Sequence, residues 1–472
     1  MPMPLGPTVL VMSQETTEIT HIRSEELADR MANDFTRNHP KFAARHGILP
    51  WQRFAGVLTL SVLVTSLVFA AHAVAIVLAV LGTALFVLKI ALSLWGAARS
   101  TVHGADPELP DDQLPFYTVL VPAYHEASVI GDTIRSICAM NYPPDRLEVL
   151  VLVETGDAAT KQAVLDIEPP SFVRVVDAPP GVPQTKPRTC NLGLMVARGD
   201  LLVIFDAEDR PEPDQLRKVA ARFANSDDGL ACVQARLNFY NAHRNLLTRQ
   251  FALDYALRFE LLLHGLAALR LPIPLGGTSN HFRVDLLREV GGWDAWNVTE
   301  DADLGMRCSA LGYRIEMTDS TTWEEAVERP WPWIRQRTRW MKGHYMTTLV
   351  HMREPRDAWQ RFGTRGIVLL LGLVFGIPAS FMALSVVGAL SLLGVALPMP
   401  LTVTTLAVLA LYAGVQHYAG KRRGLVKLGP AALLLPIYWF LLAVAAWRGL
   451  WQLIRSPFGW EKTEHGTPAP RH

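Results

Sequence analysis

The sequence predicts an α/β domain with a mostly parallel sheet, flanked on both sides by membrane-spanning α-helices. Continuous apolar runs of strand length recur at 116–122, 149–153 and 201–205, with helical segments between them. This alternation is typical of parallel strands whose two faces are both covered. Apolar stretches long enough to cross a bilayer precede and follow the region. We place the α/β domain at residues 114–345.

Two segments precede the domain. Residues 1–53 are polar and mixed in charge, with repeated Arg and Lys before the first apolar run, and we expect them to lie in the cytosol. Residues 54–98 are long enough for two transmembrane helices of about 20 residues each, with a turn near Ala71–His72. Basic residues at both ends of this pair place the following domain on the cytosolic side.

Three segments follow the domain. Residues 346–365 are predicted to lie at the membrane interface, 366–449 form a C-terminal transmembrane region, and 450–472 form a tail. The transmembrane region contains apolar stretches at 366–397, 401–420 and 429–447. Basic residues after the second and third stretches both indicate the cytosol, which three simple spans cannot satisfy. One stretch is therefore re-entrant, interfacial or double.

Composition excludes several classes of protein. A formal net charge of +1, without clustered Lys and Arg interleaved with aromatic residues in the domain, argues against nucleic-acid binding. The four cysteines lie far apart without any C-x-x-C spacing, so neither a zinc site nor a disulfide framework is indicated. Reduced cytosolic thiols are the simplest interpretation.

Carboxylates follow two of the predicted strands. Glu154 ends one strand, and Asp206 and Glu208 follow the next. Ligands of open α/β sheets bind at the carboxyl ends of strands, and two carboxylates at i and i+2 can share a Mg²⁺ or Mn²⁺ that also holds a diphosphate. The alternative is that such acids merely cap the next turn or helix, as Asp209 could.

Two later segments also carry reactive or aromatic side chains. Asp301, in Thr299-Glu300-Asp301, is suited to act as a general base, although this segment could simply be an acidic helix N-terminus capped by Thr299. The segment from Gln336 to Trp340 carries a planar Arg donor beside a tryptophan. Its alternative is an interfacial helix rich in Trp and Arg.

Five motifs occur in a fixed order along the chain. They are Val121-Pro122-Ala123-Tyr124-His125-Glu126, Lys186-Pro187-Arg188, Asp206-Ala207-Glu208, Thr299-Glu300-Asp301 and Gln336-x-x-Arg339-Trp340. Together they resemble the membrane-integrated family-2 glycosyltransferases, which include cellulose, chitin and hyaluronan synthases and many bacterial exopolysaccharide synthases. The resemblance covers the central domain and its flanking spans. It implies a GT-A fold, a nucleotide-sugar donor that is usually UDP-linked, a Mg²⁺ or Mn²⁺ ion, and inversion at the anomeric carbon.

The resemblance also implies roles for single residues. It assigns the general base to Asp301 and the metal to Asp206 and Glu208. Donor contacts fall to Tyr124, Glu126, Glu154, Lys186, Asp206, Gln336 and Arg339, and acceptor contacts to Trp340, Gly277 and Thr278. The family usually has Asp where this chain has Glu154 and Glu208, and Asp157 offers a substitute contact for the former. The loop of Gly277 and Thr278 has a plain alternative as a flexible turn.

The resulting hypothesis is a hexosyltransferase of the bacterial inner membrane with a cytosolic catalytic domain. It would extend a β-linked polysaccharide processively from a nucleotide sugar and export it, with the bilayer and further secretion or regulatory proteins as partners. The alternatives are a single-addition polyprenyl-phosphate glycosyltransferase and a non-catalytic transporter or receptor with a nucleotide-binding domain. The chain lacks the Phe-x-Val-Thr-x-Lys segment of cellulose synthases. Its tail, Ser456–Gly466, resembles an exopolysaccharide-synthase branch and has no role that the sequence explains.

Overall fold

The computed structural model describes residues 8–12, 19–99 and 106–461. Two short antiparallel strands, β1 (Thr8–Met12) and β2 (Ile19–Arg23), come first and lead into helix α1 (Ser24–Asn38). Two apolar helices follow, α2 (Pro50–Phe69) and α3 (Ala71–Arg99). They are separated only at Ala70, one residue before the predicted turn.

The central region alternates strands and helices. The strands are β3 (Tyr117–Ala123), β4 (Leu147–Glu154), β5 (Val173–Ala178), β6 (Leu201–Ile204), β7 (Arg210–Pro211), β8 (Leu230–Phe239), β9 (Asn280–Arg283) and β10 (Arg314–Glu324). The helices are α4 (Ile130–Cys138), α5 (Ala158–Leu165), α6 (Lys186–Val196), α7 (Gln215–Ala224), α8 (Leu246–Ala256), α9 (Leu263–Ala268), α10 (Val284–Glu289) and α11 (Glu300–Ala310). A π-helical turn, Leu257–Leu262, joins α8 to α9.

The strands form one mixed sheet in the order β5-β4-β3-β6-β9-β8-β10-β7. Strands β5, β4, β3 and β6 pair in parallel, as do β8 and β10. Strand β9 is antiparallel to both of its neighbours, and β7 is antiparallel to β10. The predicted mostly parallel α/β sheet is thus confirmed, with one inserted antiparallel strand that the apolar runs did not indicate.

Alternating side chains of the central strands enter two separate cores. Val119 and Val121 of β3 pack into the core that also contains residues of α4 and α7, whereas Leu120 packs into the core on the opposite face. This is the two-residue period of a pleated strand. Because both faces are covered, β3 and β4 consist mostly of apolar residues, which is why they could be found from the sequence.

Five further α-helices follow between residues 330 and 455. They are α12 (Pro330–His351), α13 (Pro355–Leu369), α14 (Gly376–Leu392), α15 (Met399–Arg422) and α16 (Leu435–Arg455). Within the described residues, five stretches are long and apolar enough to cross a membrane: 50–69, 71–99, 355–392, 399–422 and 426–455. Three of these stretches follow the central domain and two precede it.

The last apolar stretch begins and ends beside the central domain. At its start, the Arg423 guanidinium stacks on Trp323 of β10 and pairs with Glu260 of the π-helical turn. At its end, the Lys342 ammonium of α12 donates to the backbone oxygen of Gly459. Between these points a run of 3₁₀ turns, Val426–Leu434, leads into α16. A segment with both ends on one side fits the re-entrant alternative, and it lets the basic residues at both ends lie on the cytosolic side.

Glycines bring the membrane helices close to the domain. A Cβ on Gly96 of α3 would lie 1.8 Å from the Leu261 carbonyl oxygen, and one on Gly265 of α9 would lie 2.1 Å from the Leu92 carbonyl oxygen. Only hydrogen at these positions permits such an approach. The α8–α9 region is therefore held directly against α3, and it lines the cleft described next.

Candidate active site

A cleft opens at the carboxyl edge of the sheet. Every residue that the sequence assigned to the site lines it: Tyr124, Glu126, Glu154, Lys186, Asp206, Glu208, Gly277, Thr278, Asp301, Gln336, Arg339 and Trp340. These residues come from the ends of β3, β4 and β6, the start of α6, the loop before β9, the start of α11, and α12. The structure thus brings together side chains that are more than 200 positions apart in the sequence.

The loop after β6 presents Asp206 and Glu208 to the cleft. Asp209 closes this loop internally, because one of its carboxylate oxygens accepts a hydrogen bond of 2.7 Å from the Asp206 backbone N–H. The same carboxylate accepts a short hydrogen bond from the Thr278 hydroxyl. Asp209 is fully buried, so it acts as the internal turn-forming acid that the sequence alternative described. Asp206 and Glu208 are left to face the cleft.

Lys186 joins the strand-end loop to the glycine loop before β9. Its ammonium pairs with Asp206 and donates a 2.6 Å hydrogen bond to the Gly277 carbonyl oxygen. Burial lowers the pKa of Lys186, but Asp206, Cys190 and Glu300 together more than offset this effect and raise the pKa. The lysine therefore stays cationic in the cleft at physiological pH.

Negative charge in this part of the cleft exceeds what Lys186 can neutralise. Burial, and then the charge of Asp206, raises the pKa of Glu208 well above its ordinary value. Burial also raises the pKa of Glu324, on β10, and the carboxylates of Asp209 and Asp206 raise it further. A bound cation would relieve this repulsion, so the donor set fits a divalent metal ion held by Asp206 and Glu208.

No preformed metal cage is present in residues 8–12, 19–99 and 106–461. In that part of the chain no three His, Cys, Asp or Glu side chains are arranged to hold an ion. Mg²⁺ and its relatives are commonly held by one or two carboxylates, with the remaining ligands supplied by phosphates and water. The pair Asp206 and Glu208 matches that arrangement.

Asp301 lies in the first turn of α11. One of its oxygens accepts a 2.8 Å hydrogen bond from the Ala302 backbone N–H, and the other lies 3.5 Å from the position that a Cβ on Gly277 would take. Burial raises the pKa of Asp301. It also raises the pKa of the neighbouring Glu300, to about 7, with Asp301 adding to the effect.

The predicted Thr299 cap is only partly correct. Thr299 occupies the N-cap position of α11, but its side chain makes no capping hydrogen bond. Gly343 of α12 packs against this side chain so closely that an added Cβ would lie 2.2 Å from its hydroxyl oxygen. Packing against α12 thus takes the place of capping, and it fixes α11 relative to the helix that carries Gln336, Arg339 and Trp340.

Helix α12 contributes the polar and aromatic wall of the cleft. The Gln336 amide oxygen and the Arg339 Nε are buried and have no hydrogen-bond partner within the protein. The Trp340 ring stacks on Tyr255 of α8, with 6.2 Å between ring centroids. Unsatisfied buried polar groups that line a cleft are suited to a polar ligand. The structure therefore favours the site interpretation of this segment over a purely interfacial helix.

The region predicted to hold the nucleoside is more fully satisfied. The Glu154 carboxylate accepts hydrogen bonds from Gln184, at 2.7 Å, and from the fully buried Arg188, at 2.8 Å. Asp157 does not line the cleft. Instead it is the N-cap of α5 and accepts from the backbone N–H groups of Thr160 and His125. The suggestion that Asp157 substitutes for the family's usual contact is therefore wrong in this structure.

The glycine loop is an ordered turn with two distinct positions. A Cβ on Gly276 would lie 2.8 Å from a Leu237 methyl carbon, whereas a Cβ on Gly277 would make only an ordinary contact. The Thr278 hydroxyl lies 3.0 Å from the Ile204 carbonyl oxygen and also binds Asp209. Thr278 therefore supports the loop through its hydroxyl, and Gly277 supplies the open surface.

Sequence reasoning missed several residues of the cleft. Arg258 enters from the π-helical turn, Glu324 from the end of β10, and Trp460 from the C-terminal tail. Only the tail had a signal, since its unusual composition stood out without an assigned role. Arg258 lies in a segment that reads as an ordinary amphipathic helix, and Glu324 lies in a strand whose neighbours could not be deduced from local pattern.

Comparisons with known proteins agree with this geometry. Residues 115–343 match the family model described as "Glycosyltransferase like family 2". The chain is 30% identical over 241 residues to the probable glycosyltransferase YdaM of Bacillus subtilis, covering 50% of this chain and 57% of that protein. It is 28% identical over 267 residues to the β-monoglucosyldiacylglycerol synthase of Synechocystis, covering 54% of each.

A plant relative and a solved structure extend the comparison. The probable glucomannan 4-β-mannosyltransferase 1 of Arabidopsis thaliana is 26% identical over 271 residues, covering 54% of this chain and 49% of that protein. The chain thus spans about half the length of the curated relatives it matches. The structure of the mannosyltransferase PcManGT from Pyrobaculum calidifontis, in complex with GDP-Man and Mn²⁺, aligns with a TM-score of 0.54 and 22% identity. It covers 79% of this chain and 99% of its own, and it shows a shared GT-A fold.

Proposed function

The central domain of this chain is a family-2 glycosyltransferase domain, and on that premise we propose that the protein transfers a hexose from a nucleotide-sugar donor to a growing β-linked polysaccharide. The single observation that carries the proposal is the convergence of Asp206, Asp301, Arg339 and Trp340 in one cleft. A site that only bound a nucleotide would have little need for a second carboxylate position on a separate helix.

The chemistry follows from where these groups lie. An acceptor hydroxyl oxygen attacks the anomeric carbon of the donor sugar, the bond from that carbon to the diphosphate oxygen breaks, and the configuration inverts. We assign uptake of the hydroxyl proton to Asp301, and burial raises the pKa of this carboxyl, which makes it a stronger base. Lys186 and Arg339 are placed to hold the nucleoside diphosphate as it leaves with the bonding electron pair.

Asp206 and Glu208 would hold a divalent cation. When bound, the cation neutralises the charge that grows on the leaving diphosphate. Mn²⁺ in the Pyrobaculum mannosyltransferase supports this assignment. The chain's own part is to order the loop, which Asp209 closes, and to pair Asp206 with Lys186.

The membrane helices motivate the processive and export parts of the proposal. The cleft is walled by α12, which packs along α16, and by α8, which leads to α9 against α3. Trp340 offers a flat surface for an acceptor sugar at this end of the cleft. We infer that a lengthening chain passes from there between the membrane helices, and that the protein lies in the bacterial inner membrane with its catalytic domain in the cytosol.

A second candidate function is a single transfer to a lipid acceptor, which includes the polyprenyl-phosphate alternative. The similarity to the Synechocystis β-monoglucosyldiacylglycerol synthase favours it. The two candidates share the donor half of the site and the role of Asp301. They differ in the product, since only the first yields a long polymer.

The deciding experiment screens radiolabelled UDP- and GDP-hexoses with the full-length protein in proteoliposomes containing Mn²⁺ or Mg²⁺. We expect one donor to give an alkali-stable polymer of high molecular mass, with β linkages by methylation analysis. A product that carries one sugar on a lipid would replace the processive proposal with the second candidate. Absence of transfer from every donor, by protein that still binds nucleoside diphosphate, would overturn both.

A further inference from the structure

The C-terminal segment Ser456–Glu461, which we call the tail strap, lies across the face of α12. Two backbone carbonyl oxygens of the strap, those of Ser456 and Gly459, accept hydrogen bonds from the Lys342 ammonium at 3.2 and 2.6 Å. Lys342 itself is buried. A buried lysine that donates to two strap carbonyl oxygens holds the strap in one position against the helix.

A second set of contacts fixes the end of the strap. The Glu461 carboxylate forms a bidentate pair with the Arg448 guanidinium of α16, at 2.6 and 2.7 Å, and also accepts from Gln452. Phe458 packs edge-on against Trp296, with ring centroids 5.3 Å apart. Bidentate arginine–carboxylate pairs have a defined geometry. The strap is therefore anchored on three sides, to α12, α16 and the loop before α11.

These anchors place one aromatic ring in the cleft. Trp460 lines the cleft, and the Arg339 guanidinium lies over its ring with 4.3 Å between the guanidinium carbon and the ring centroid. The Arg339 Nε has no hydrogen-bond partner within the protein, so the ring is the contact that defines the plane of this guanidinium. A cation over a tryptophan face is attracted to it while its N–H groups remain available in the plane.

We propose that Trp460 is a positioning residue that orients Arg339 toward the donor diphosphate, so that the tail strap completes the donor side of the cleft. This rests on the function proposed above. It assigns a role to the C-terminal motif that the sequence could not explain. The prediction is that Trp460 acts only through Arg339, and that its aromatic face is the property that counts.

The test compares four full-length variants with the wild type: Trp460→Ala, Trp460→Phe, Arg339→Ala and the double variant Trp460→Ala/Arg339→Ala. Binding of UDP and of GDP, each with Mn²⁺, is measured in detergent by calorimetry, and kcat and KM are measured with the active donor. Trp451→Ala is the matched control, because Trp451 stacks on Arg455 at 4.8 Å on the same end of α16 but is exposed outside the cleft.

We expect Trp460→Ala to weaken nucleoside diphosphate binding and kcat/KM by about tenfold, from the loss of one partly desolvated cation–π contact. Trp460→Phe should recover most of this loss, and Trp451→Ala should match the wild type. In the Arg339→Ala background, Trp460→Ala should have little further effect. Wild-type values for Trp460→Ala, or a full tenfold effect added in the double variant, would overturn the proposal.

Two measurements keep the result interpretable. Trp460→Leu retains an apolar side chain without a ring. If this variant has the wild-type unfolding temperature but binds nucleoside diphosphate like Trp460→Ala, the loss of affinity is not caused by misfolding. Wild-type binding by Trp460→Leu would contradict the role of the ring. The binding readout also separates the two proposals. If no donor supports transfer, the function fails, whereas the coupling between Trp460 and Arg339 is still decided by nucleoside diphosphate affinity.

Discussion

Two groups of carboxylates near α11, one lining the cleft and one outside it, which we call the far side, differ in how their charge is balanced. In the cleft, Asp206 pairs with the Lys186 ammonium, and the pKa of Glu208 is raised well above its ordinary value by burial and by Asp206. On the far side, Asp303 is fully buried between His351, at 3.1 Å, and Arg307, at 3.4 Å.

The far-side charges are paired within the protein, although Asp303 Oδ2, Arg307 Nε and Nη2 and His351 Nδ1 are buried without a hydrogen-bond partner. Arg307 also donates to the backbone oxygens of Val290 and Gly292, and Asp294 beside it accepts from the Ala44 and Trp296 backbone N–H groups. The network joins α11, α12 and the N-terminal segment. Removing one partner of a balanced buried pair destabilises the fold, whereas negative charge in excess beside a cleft favours a ligand of opposite sign.

The largest expected effect separates two acids on one helix. Asp301→Asn should lower kcat by about 10²- to 10⁴-fold, because the acceptor hydroxyl loses its base, and should leave nucleoside diphosphate binding and the unfolding temperature nearly unchanged. Asp303→Asn, two residues further along α11, should leave kcat nearly unchanged. It should cost about 3–5 kcal/mol of stability, since Arg307 and His351 lose their buried partner. Unchanged transfer by Asp301→Asn would reject its role as base.

Metal removal should affect only the cleft group. We expect EDTA to lower transfer by at least about 100-fold, since the charge on the leaving diphosphate loses several kcal/mol of stabilisation, and added Mn²⁺ to restore it. Asp206→Asn should show the same loss without restoration. The unfolding temperature should change little in both cases, and retention of full activity in EDTA would remove the metal from the site.

A smaller effect concerns acid. Burial lowers the pKa of His281, on β9, to about 3, where its ring contacts the Tyr117 hydroxyl and Gln215. The unfolded chain takes up this proton near pH 6.5 and the folded protein does not. Stability contributed by neutral His281 is therefore lost as pH falls from about 6.5 toward 3, by up to about 1.4 kcal/mol per pH unit.

The variant His281→Gln removes this pH-dependent contribution to the free energy of unfolding. The difference in unfolding temperature between wild type and variant should shrink as pH falls from 7 to 5, and a constant difference would contradict this prediction.

The activity of the cleft should respond to pH separately, because burial raises the pKa of Asp301. Transfer requires the ionised base, so the rate should fall reversibly as pH falls through that pKa, while the protein remains folded.

The smallest effect distinguishes adjacent glycines. A methyl group on Gly276 would meet Leu237 and Phe259 at 2.8 and 3.0 Å, so Gly276→Ala should cost about 1–3 kcal/mol of stability. Gly277→Ala has room for its methyl group beside Asp301 and should lower kcat/KM only a few-fold, with stability unchanged. Thermal unfolding and initial rates of both variants test this, and equal stability losses would show that Gly277 is also a packing position.

Much of the fold was accessible from local pattern. The runs at 116–122, 149–153 and 201–205 correspond to β3, β4 and β6, because strands covered on both faces are apolar at most positions. Antiparallel β9 was not accessible, since four residues between a glycine loop and a short helix have no distinctive period. Its place between β6 and β8 depends on pairing with residues far away in sequence.

The candidate site divides in the same way. The acids after β4 and β6, the start of α11 and the Gln336–Trp340 segment were found because each has a local motif. Arg188, which holds Glu154, matched a motif but received no role, and Asp157 was given a ligand role that its cap position excludes. Such assignments depend on which neighbour satisfies a polar group, and a sequence does not state that.

By itself, the sequence determined which segments are buried strands, which are apolar helices and which carboxylates lie at strand ends, because hydrophobic periodicity is a property of residues that are neighbours in the sequence. Only the tertiary structure decided that both ends of the last apolar stretch lie beside the central domain, that Lys186 bonds both Asp206 and Gly277, and that Trp460 contacts Arg339 in the cleft. Each of these contacts joins residues that are far apart in the sequence, so it contributes free energy only after the chain has folded.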